Sequence, residues 1–309
     1  MIRNPNARPQ RHKPSVFFVI TFTLLLALTG LVSPLEGLSA ESDRGCLWSF
    51  KTNQNTIYLL GSMHLFKKES YPMPLAIQRA YADSKKLVFE TDMEKMADPA
   101  MQAMLLVMGM YPPDQNLFQN IPEETQAMLR EKLAKGGIPP EYFSRFKPWF
   151  CALTLTMTEL VRLGLDPRYG IDMHYFQKAK SDDKETLFFE SFEDHLKLLA
   201  GMDQEEQASF LSQTLKDLDI IEEMASRLLS SWREGDVDGL AAVLLKSFRD
   251  HPDIMERLLI ERNRNWLEKI EDLMEQPDNV LIVVGVGHLI GEGSLVDFLR
   301  DNGFKVNQK

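Results

Sequence analysis

Residues 279–291 decide the fold, and they read Asn-Val-Leu-Ile-Val-Val-Gly-Val-Gly-His-Leu-Ile-Gly. A run of apolar, mostly β-branched residues without a charge predicts a strand that is buried on both faces. Glycine then allows the chain to turn sharply, and His288 follows at the carboxyl end of that strand. The same pattern occurs near the start of the chain, where the apolar run Ile57–Leu60 precedes Gly61–His64. An apolar strand followed by Gly-x-x-His therefore occurs twice, far apart in the sequence.

Further predicted strands and helices lie between these two motifs. Two short apolar runs, Lys86–Glu90 and Thr186–Glu190, predict strands that each end in a glutamate. Strands separated by helices predict an α/β fold, with a central sheet flanked by helices and a large helical middle or cap region. The remaining predicted elements of this single domain (41–309) are a hairpin at 47–51 and 56–60, a helix at 74–84, helical insertions at about 99–180 and 192–274, a helix at 294–302 and a closing strand at 304–306.

The charge balance limits the partners that the protein can have. The 309 residues include 35 Lys and Arg against 45 Asp and Glu, which gives a formal net charge of -10. Proteins that bind nucleic acid need clustered basic residues to neutralise the phosphates. We therefore expect no nucleic-acid partner.

The first 40 residues have the layout of a targeting segment. An uncharged apolar run, Val16–Val32, follows a head that contains Arg3, Arg8, Arg11 and Lys13. This layout is typical of a signal peptide, whereas a full bilayer span needs roughly 20 apolar residues. Residues 1–40 are thus either a signal peptide or an uncleaved N-terminal anchor formed by 16–32. In both cases the basic head stays in the cytoplasm, so we expect a periplasmic or secreted protein whose contact with a membrane, if any, is this segment.

The chain has two cysteines, Cys46 and Cys151. In an oxidising compartment they could form a disulfide. Alternatively, Cys151 is a small buried apolar residue, because it lies in an apolar helical stretch. The sequence leaves both possibilities open.

The two histidines and the two glutamates carry the candidate chemistry. If their strands form one parallel sheet, His64, His288, Glu90 and Glu190 all lie at the carboxyl edge, where open α/β sheets bind ligands. Two histidines with one or two carboxylates are a common ligand set for divalent transition metals. Such a metal can activate water for hydrolysis, and a spare carboxylate can act as a base. The alternative is that each histidine is a hydrogen-bonded turn residue and each glutamate a solvated strand end.

Arg262 is a further candidate, in the helical segment Glu261–Asn265. Its guanidinium could bind a carboxylate in bidentate geometry or stabilise an oxyanion. The alternative is an exposed, charged face of a helix. Two other histidines, His174 and His195, lie in helical segments, and we expect them to be surface or packing residues.

These motifs together resemble the TraB/PrgY/GumN family, which includes the TIKI proteins of animals. The resemblance covers about residues 46–306 and implies a hydrolase-like α/β fold, related to the erythromycin-esterase (EreA) and ChaN folds. TIKI proteins are metal-dependent peptidases that act outside the membrane with Mn or Co. On this resemblance, His64 and His288 are the motif histidines, Glu90 is the motif glutamate and Arg262 is the motif arginine.

The expected function follows from the residues and the resemblance together. We expect an extracytoplasmic, metal-dependent hydrolase, a TIKI-like peptidase that acts on a peptide or protein. His64, His288 and Glu90 are the expected ligands of a divalent metal, Mn or Co rather than Zn. Glu90, Glu190 and Arg262 are the expected catalytic residues. The alternative is a non-catalytic envelope protein of the same fold that binds a peptide or haem.

Overall fold

A six-stranded sheet lies at the centre of the computed structural model, which describes residues 44–245 and 252–309. The spatial order of the strands is β4-β3-β5-β2-β1-β6. Their bounds are β1 Leu47–Lys51, β2 Thr56–Ser62, β3 Lys86–Thr91, β4 Glu185–Glu190, β5 Val280–Gly285 and β6 Asn307–Gln308. With helices packed around this sheet, the α/β fold class predicted from the sequence is confirmed.

Four neighbouring strands run parallel. β5 pairs in parallel with β2 on one side and with β3 on the other, and β4 adds in parallel to β3. All six residues of β5 are buried, as its uncharged sequence predicted. The two strands that precede Gly-x-x-His are therefore neighbours, with Ser62 opposite Gly285 in the register. This arrangement brings the carboxyl ends of β2, β3, β4 and β5 to one edge.

The other side of the sheet is antiparallel. β1 and β2 form the predicted hairpin, and β6 pairs with β1. The closing strand lies at Asn307–Gln308, so its predicted position at 304–306 is wrong. The preceding helix explains why the strand begins later than predicted. The backbone N–H of Phe304 still donates to the carbonyl of Leu299, and Val306 is buried. Pairing with β1 starts only after this helix end.

Helices fill the long segments between the strands. Most described residues of the segments predicted to be helical, about 99–180 and 192–274, lie in helices, with turns and loops between them, and residues 246–251 lie outside the described residues. The helices are α1 Leu75–Asp83, α2 Pro99–Gly109, α3 Glu123–Lys135, α4 Pro148–Arg162, α5 Ile171–Ser181, α6 Phe192–Ala200, α7 Gln204–Asp217, α8 Ile221–Glu234, α9 Val237–Leu244, α10 Pro252–Met255, α11 Glu261–Met274 and α12 Leu295–Asp301.

Helix α8 shows how the helical region supports the sheet edge. Its buried residues include Ile221, Met224, Leu228 and Trp232, which recur at the spacing of one helix face. The indole N–H of Trp232 donates to the carbonyl oxygen of Gly61 over 2.7 Å. The helix thus packs directly behind the first Gly-x-x-His motif and fixes its backbone.

Both cysteines are free and buried. Burial raises the pKa of the Cys46 and Cys151 thiols above the ordinary value, so both stay protonated. The structure therefore contains no disulfide between these residues and shows Cys151 as a small core residue in α4.

Within residues 44–245 and 252–309, no helix has the length and apolar character needed to cross a membrane. The predicted leader, residues 1–40, lies outside the described residues.

Candidate functional site

The four candidate side chains of the strands lie at the same edge of the sheet. Glu90 is in β3 and Glu190 ends β4, while His64 and His288 follow β2 and β5. Glu90, His64 and His288 are all buried. The Oε1 atom of Glu90 lies 3.9 Å from Nε2 of His288, and the charge of Glu90 also affects the pKa of His64. The parallel sheet thus brings together residues that are far apart in the sequence.

Arg262 lies at the centre of this cluster and is 5% exposed, so the exposed helix face considered from the sequence is wrong. Its Nη2 donates to Glu90 Oε2 over 2.8 Å and to Glu190 Oε2 over 3.0 Å. Its Nε donates to Glu190 Oε1 over 2.8 Å. The remaining group, Nη1, donates to Nε2 of His288 and to the carbonyl of Leu258, both over 3.0 Å. One guanidinium therefore joins the buried carboxylate of Glu90, the partly buried carboxylate of Glu190 and one motif histidine.

A π-helical turn sets the position of Arg262. Glu256–Ile260 forms this turn between α10 and α11, and π turns inside α helices are frequent at functional sites. The wider turn is held from inside by the bond between Arg262 Nη1 and the Leu258 carbonyl. Immediately after it, both Arg262 and Asn263 are buried. Two consecutive residues of one helix can thus serve the same site.

Asn263 fixes the proton on His288. Its side-chain Nδ2 donates to the carbonyl of Gly293 over 2.8 Å, which orients the amide so that its Oδ1 faces His288. Nδ1 of His288 donates to this oxygen over 2.7 Å. Nε2 then carries the lone pair and accepts from Arg262. Burial also lowers the pKa of His288 to about 3, which keeps the ring neutral near pH 7.

Both glutamates stay ionised, although Glu90 is buried and Glu190 is partly buried. Burial alone would raise the pKa of Glu90, but the charge of Arg262 helps to hold it well below the ordinary value, and the Gly285 backbone N–H donates to its Oε1. Burial likewise works against ionisation of Glu190, but Arg262 and His195 lower its pKa to about 2.

His64 has different surroundings. Its Nδ1 forms a short contact with Oδ2 of Asp172, and its Nε2 is buried without a hydrogen-bond partner. Burial lowers the pKa of His64, but the carboxylate of Asp172 outweighs it, so the net pKa is above the ordinary value. The two motif histidines are therefore set apart, with one kept neutral and the other prepared to accept a proton.

A close backbone contact positions Asp172. The backbone N–H of Ile171 donates to the carbonyl of Met63 over 3.0 Å. A Cβ atom on Gly170 would lie 2.3 Å from the carbonyl oxygen of His64, so only glycine fits there. The segment Gly170–Asp172 therefore packs onto the first Gly-x-x-His motif and places its carboxylate on the ring of His64.

Sequence reasoning missed the roles of three residues. No role was assigned to Asp172 or Asn263 from the sequence, although an asparagine inside a helix signals that something other than helix propensity holds it there. His195 was expected at the surface or in packing, but its Nδ1 lies 3.4 Å from Glu190 Oε2 and 3.3 Å from Arg262 Nη2. His174 does pack as expected, since its ring lies 4.4 Å from that of Tyr71.

The residues fit a divalent metal only in part. His64 has the usual surroundings of a metal ligand, because its Nδ1 is held by a carboxylate and its Nε2 is unpartnered. The lone pair of His288 Nε2 and the oxygens of Glu90 instead face the N–H groups of Arg262 and Gly285. Among the residues that the structure describes, no three His, Cys, Asp or Glu side chains are grouped to hold a metal. As arranged, the predicted ligand set does not fit, and the metal stays a prediction.

Comparisons with known proteins identify the relatives of the chain. The YbaP protein of Escherichia coli (strain K12) is 26% identical over 243 residues, which cover 79% of this chain and 87% of YbaP. The metalloprotease TIKI2 of Danio rerio is 22% identical, over 87% of this chain and 62% of TIKI2. No solved structure matches the chain significantly. The model of the TraB/PrgY/gumN family matches residues 46–308, and the protein therefore belongs to this family.

Proposed function

We propose that the protein is an extracytoplasmic hydrolase that cleaves a peptide or protein substrate at the edge formed by β2, β3, β4 and β5. The observation that carries the proposal is the state of His64, whose Nε2 is buried and unpartnered while Asp172 holds its Nδ1. The distant similarity to a metalloprotease of Danio rerio supports hydrolysis and suggests the peptide bond as the target.

His64 acts as the proton carrier of the reaction. Its Nε2 accepts a proton from a water molecule, and the water oxygen attacks the carbonyl carbon of the peptide bond. The imidazolium then gives the same proton to the leaving nitrogen as the bond from carbon to nitrogen breaks. Asp172 orients the ring and stabilises its charged form, as carboxylates do in other histidine-based hydrolases. Glu90 adds to this stabilisation, because its charge raises the pKa of His64.

Arg262 serves the reaction by positioning other groups. A guanidinium has five N–H donors. In Arg262 they reach two oxygens of Glu190, one of Glu90, Nε2 of His288 and the carbonyl of Leu258. No donor remains for an oxyanion in this arrangement, so the carboxylate-binding role considered from the sequence is the one that these contacts support. Glu190 completes the cluster by accepting from Arg262 and from the indole of Trp266.

Cleavage of a peptide library by the purified protein tests the proposal. We expect the variant His64→Gln to lose activity by about 100-fold or more, the usual contribution of a general base, with an unchanged unfolding temperature. His174→Gln is the matched control, because His174 is a partly buried histidine that packs outside the site. Equal cleavage by His64→Gln and the native protein would contradict the role of His64. Binding of peptide or haem without any cleavage would instead support the non-catalytic alternative.

The extracytoplasmic location is a separate part of the proposal. It is supported by the basic head and apolar run within residues 1–40. Cell fractionation of the full chain, with a cytoplasmic marker as control, should recover it outside the cytoplasm. Replacing three residues of the apolar run, Leu24, Leu25 and Leu26, with Asp should retain it inside.

A further inference from the structure

We infer that Arg262 excludes divalent metal ions from the cluster of Glu90, Glu190 and His288, because its guanidinium already serves as the cation there. A metal ion would need the lone pair of His288 Nε2 that accepts from Arg262, and it would have to lie beside the guanidinium that pairs with Glu90 and Glu190. The inference concerns the site of the proposed function, but it is independent of whether the site cleaves peptides.

Arg262 already contacts the atoms that a metal would bind. Nη1 of Arg262 lies 3.0 Å from Nε2 of His288, which is the only lone pair of this ring because Nδ1 carries the proton. A metal and an N–H donor cannot share one nitrogen lone pair. Nη2 and Nε also donate to one oxygen of Glu90 and both oxygens of Glu190. Each carboxylate oxygen keeps a second lone pair, but the positive guanidinium lies beside it and repels a second cation.

The charge of the cluster also depends on Arg262. One buried and one partly buried carboxylate without a cation would be costly in free energy, and buried charges are normally paired or coordinate a metal. Arg262 provides the pairing, and it is itself held in place by the Leu258 carbonyl of the π turn. Its burial and its salt bridges to Glu90 and Glu190 make it a permanent part of the protein rather than a side chain that swings in from solvent.

Without Arg262, the same cluster has the composition of a metal site. One neutral imidazole and two carboxylates then face one another, which is a ligand set that suits Mn²⁺ and Co²⁺. Asn263 would continue to hold the proton on Nδ1 of His288 and thereby keep Nε2 available. The arginine is thus what decides between an internal ion pair and a bound metal.

Calorimetric titration with MnCl₂ and CoCl₂ tests this inference. We expect Arg262→Leu to bind about one metal ion at least tenfold more tightly than the native protein, and to unfold at a higher temperature when metal is present. Arg264→Leu is the matched control, because Arg264 lies two residues further along the same helix, is exposed and pairs with Glu256. We expect its metal affinity to equal that of the native protein.

Two further variants make the result decisive. If Arg262→Leu does not fold, the double variant with Glu190→Gln removes one of the unpaired charges and keeps Glu90 and His288 as ligands. Adding His288→Gln to either variant should abolish the gain in affinity. Equal affinities of the native protein and the Arg262 variants, or a gain that survives His288→Gln, would overturn the inference. Peptide cleavage is not measured in this experiment, so its outcome leaves the proposed function to its own test.

Discussion

Two histidines in the same short motif have opposite protonation behaviour. His64 has a carboxylate on Nδ1 and an unpartnered Nε2, whereas His288 has an amide oxygen on Nδ1 and a guanidinium at Nε2. Burial lowers the pKa of both rings, but at His64 the carboxylate of Asp172 outweighs it, so the pKa of His64 is above the ordinary value and that of His288 falls to about 3. The groups that contact each ring, rather than the Gly-x-x-His pattern, decide which histidine can carry a proton.

This difference predicts the pH dependence of Asp172→Asn. In the proposed reaction His64 is a general base, which must be neutral to act, so we expect kcat/KM to rise with pH through the pKa of His64. Asp172 raises that pKa, so its loss should move the rising limb to lower pH. We also expect a lower maximal rate, because the charged ring is no longer stabilised. A pH–rate profile measures both changes, and an unshifted limb would show that Asp172 does not act through His64.

Because Arg262 forms buried ion pairs, we expect its replacement to destabilise the protein much more than replacement of Arg264 in the same helix. Arg262→Ala leaves the carboxylates of Glu90 and Glu190 without a cation, and breaking such a buried pair costs about 3–5 kcal/mol in the free energy of unfolding. Arg264→Ala breaks an exposed pair and should change stability by less than about 1 kcal/mol. Urea unfolding of the two variants measures the difference. Equal losses would mean that the cluster does not stabilise the fold.

At the scale of elements, the site depends on how loops and helix ends pack onto the sheet edge. Gly170, just before α5, lies against the carbonyl of His64, and the π turn before α11 brings Arg262 and Asn263 inward. The strands place the site at one edge of the sheet. The packing of Gly170 and the π turn bring in the residues that contact the two histidines.

Two glycine-to-alanine variants test whether Gly170 is closely packed, because only one of the two glycines has no room for a Cβ atom. In Gly170→Ala the new Cβ atom would lie 2.3 Å from the backbone oxygen of His64, so we expect a loss of about 1–3 kcal/mol and loss of activity. In Gly287→Ala the nearest atom is 3.8 Å away, in the side chain of Leu259, so this variant should fold normally. Thermal unfolding measures both. A normal unfolding temperature for Gly170→Ala would contradict the close packing.

For the whole molecule, we expect the burial of His174 to make the folded state less stable at acid pH, independently of the site. Burial and Lys178 lower its pKa to about 4 in the folded protein, below the 6.5 of a free histidine. Between these values the unfolded chain binds more protons, so stability falls as the pH drops from about 6.5 to 4. His174→Phe should remove this loss. The difference in free energy of unfolding between the variant and the native protein should therefore be about 1–2 kcal/mol more favourable to the variant at pH 5 than at pH 7. Urea titrations at both pH values measure it, and a constant difference would refute it.

The cysteines predict how the whole molecule behaves in an oxidising compartment. Cys46 and Cys151 are buried with raised pKa values, and a thiol must be ionised and accessible to react. We expect iodoacetamide to label neither thiol in the folded protein and both after unfolding in guanidinium. Mass spectrometry counts the labels. A protein that gains no label after unfolding without a reductant would contain the disulfide that the structure lacks.

The sequence alone determined five of the six strands of the described sheet, the α/β class and the edge at which the candidate site lies. These features follow from local patterns: an apolar run predicts a buried strand, and the carboxyl ends of parallel strands meet at one edge. His64, Glu90, Glu190 and His288 could therefore be placed together before any coordinates. Only the tertiary structure decided that Asp172 holds His64 and that Arg262 donates to Glu90, Glu190 and His288. These contacts depend on a glycine packed against a distant carbonyl and on one extra residue in a helical turn. Neither leaves a periodic pattern in the sequence, because each is created by segments that meet only when the chain folds.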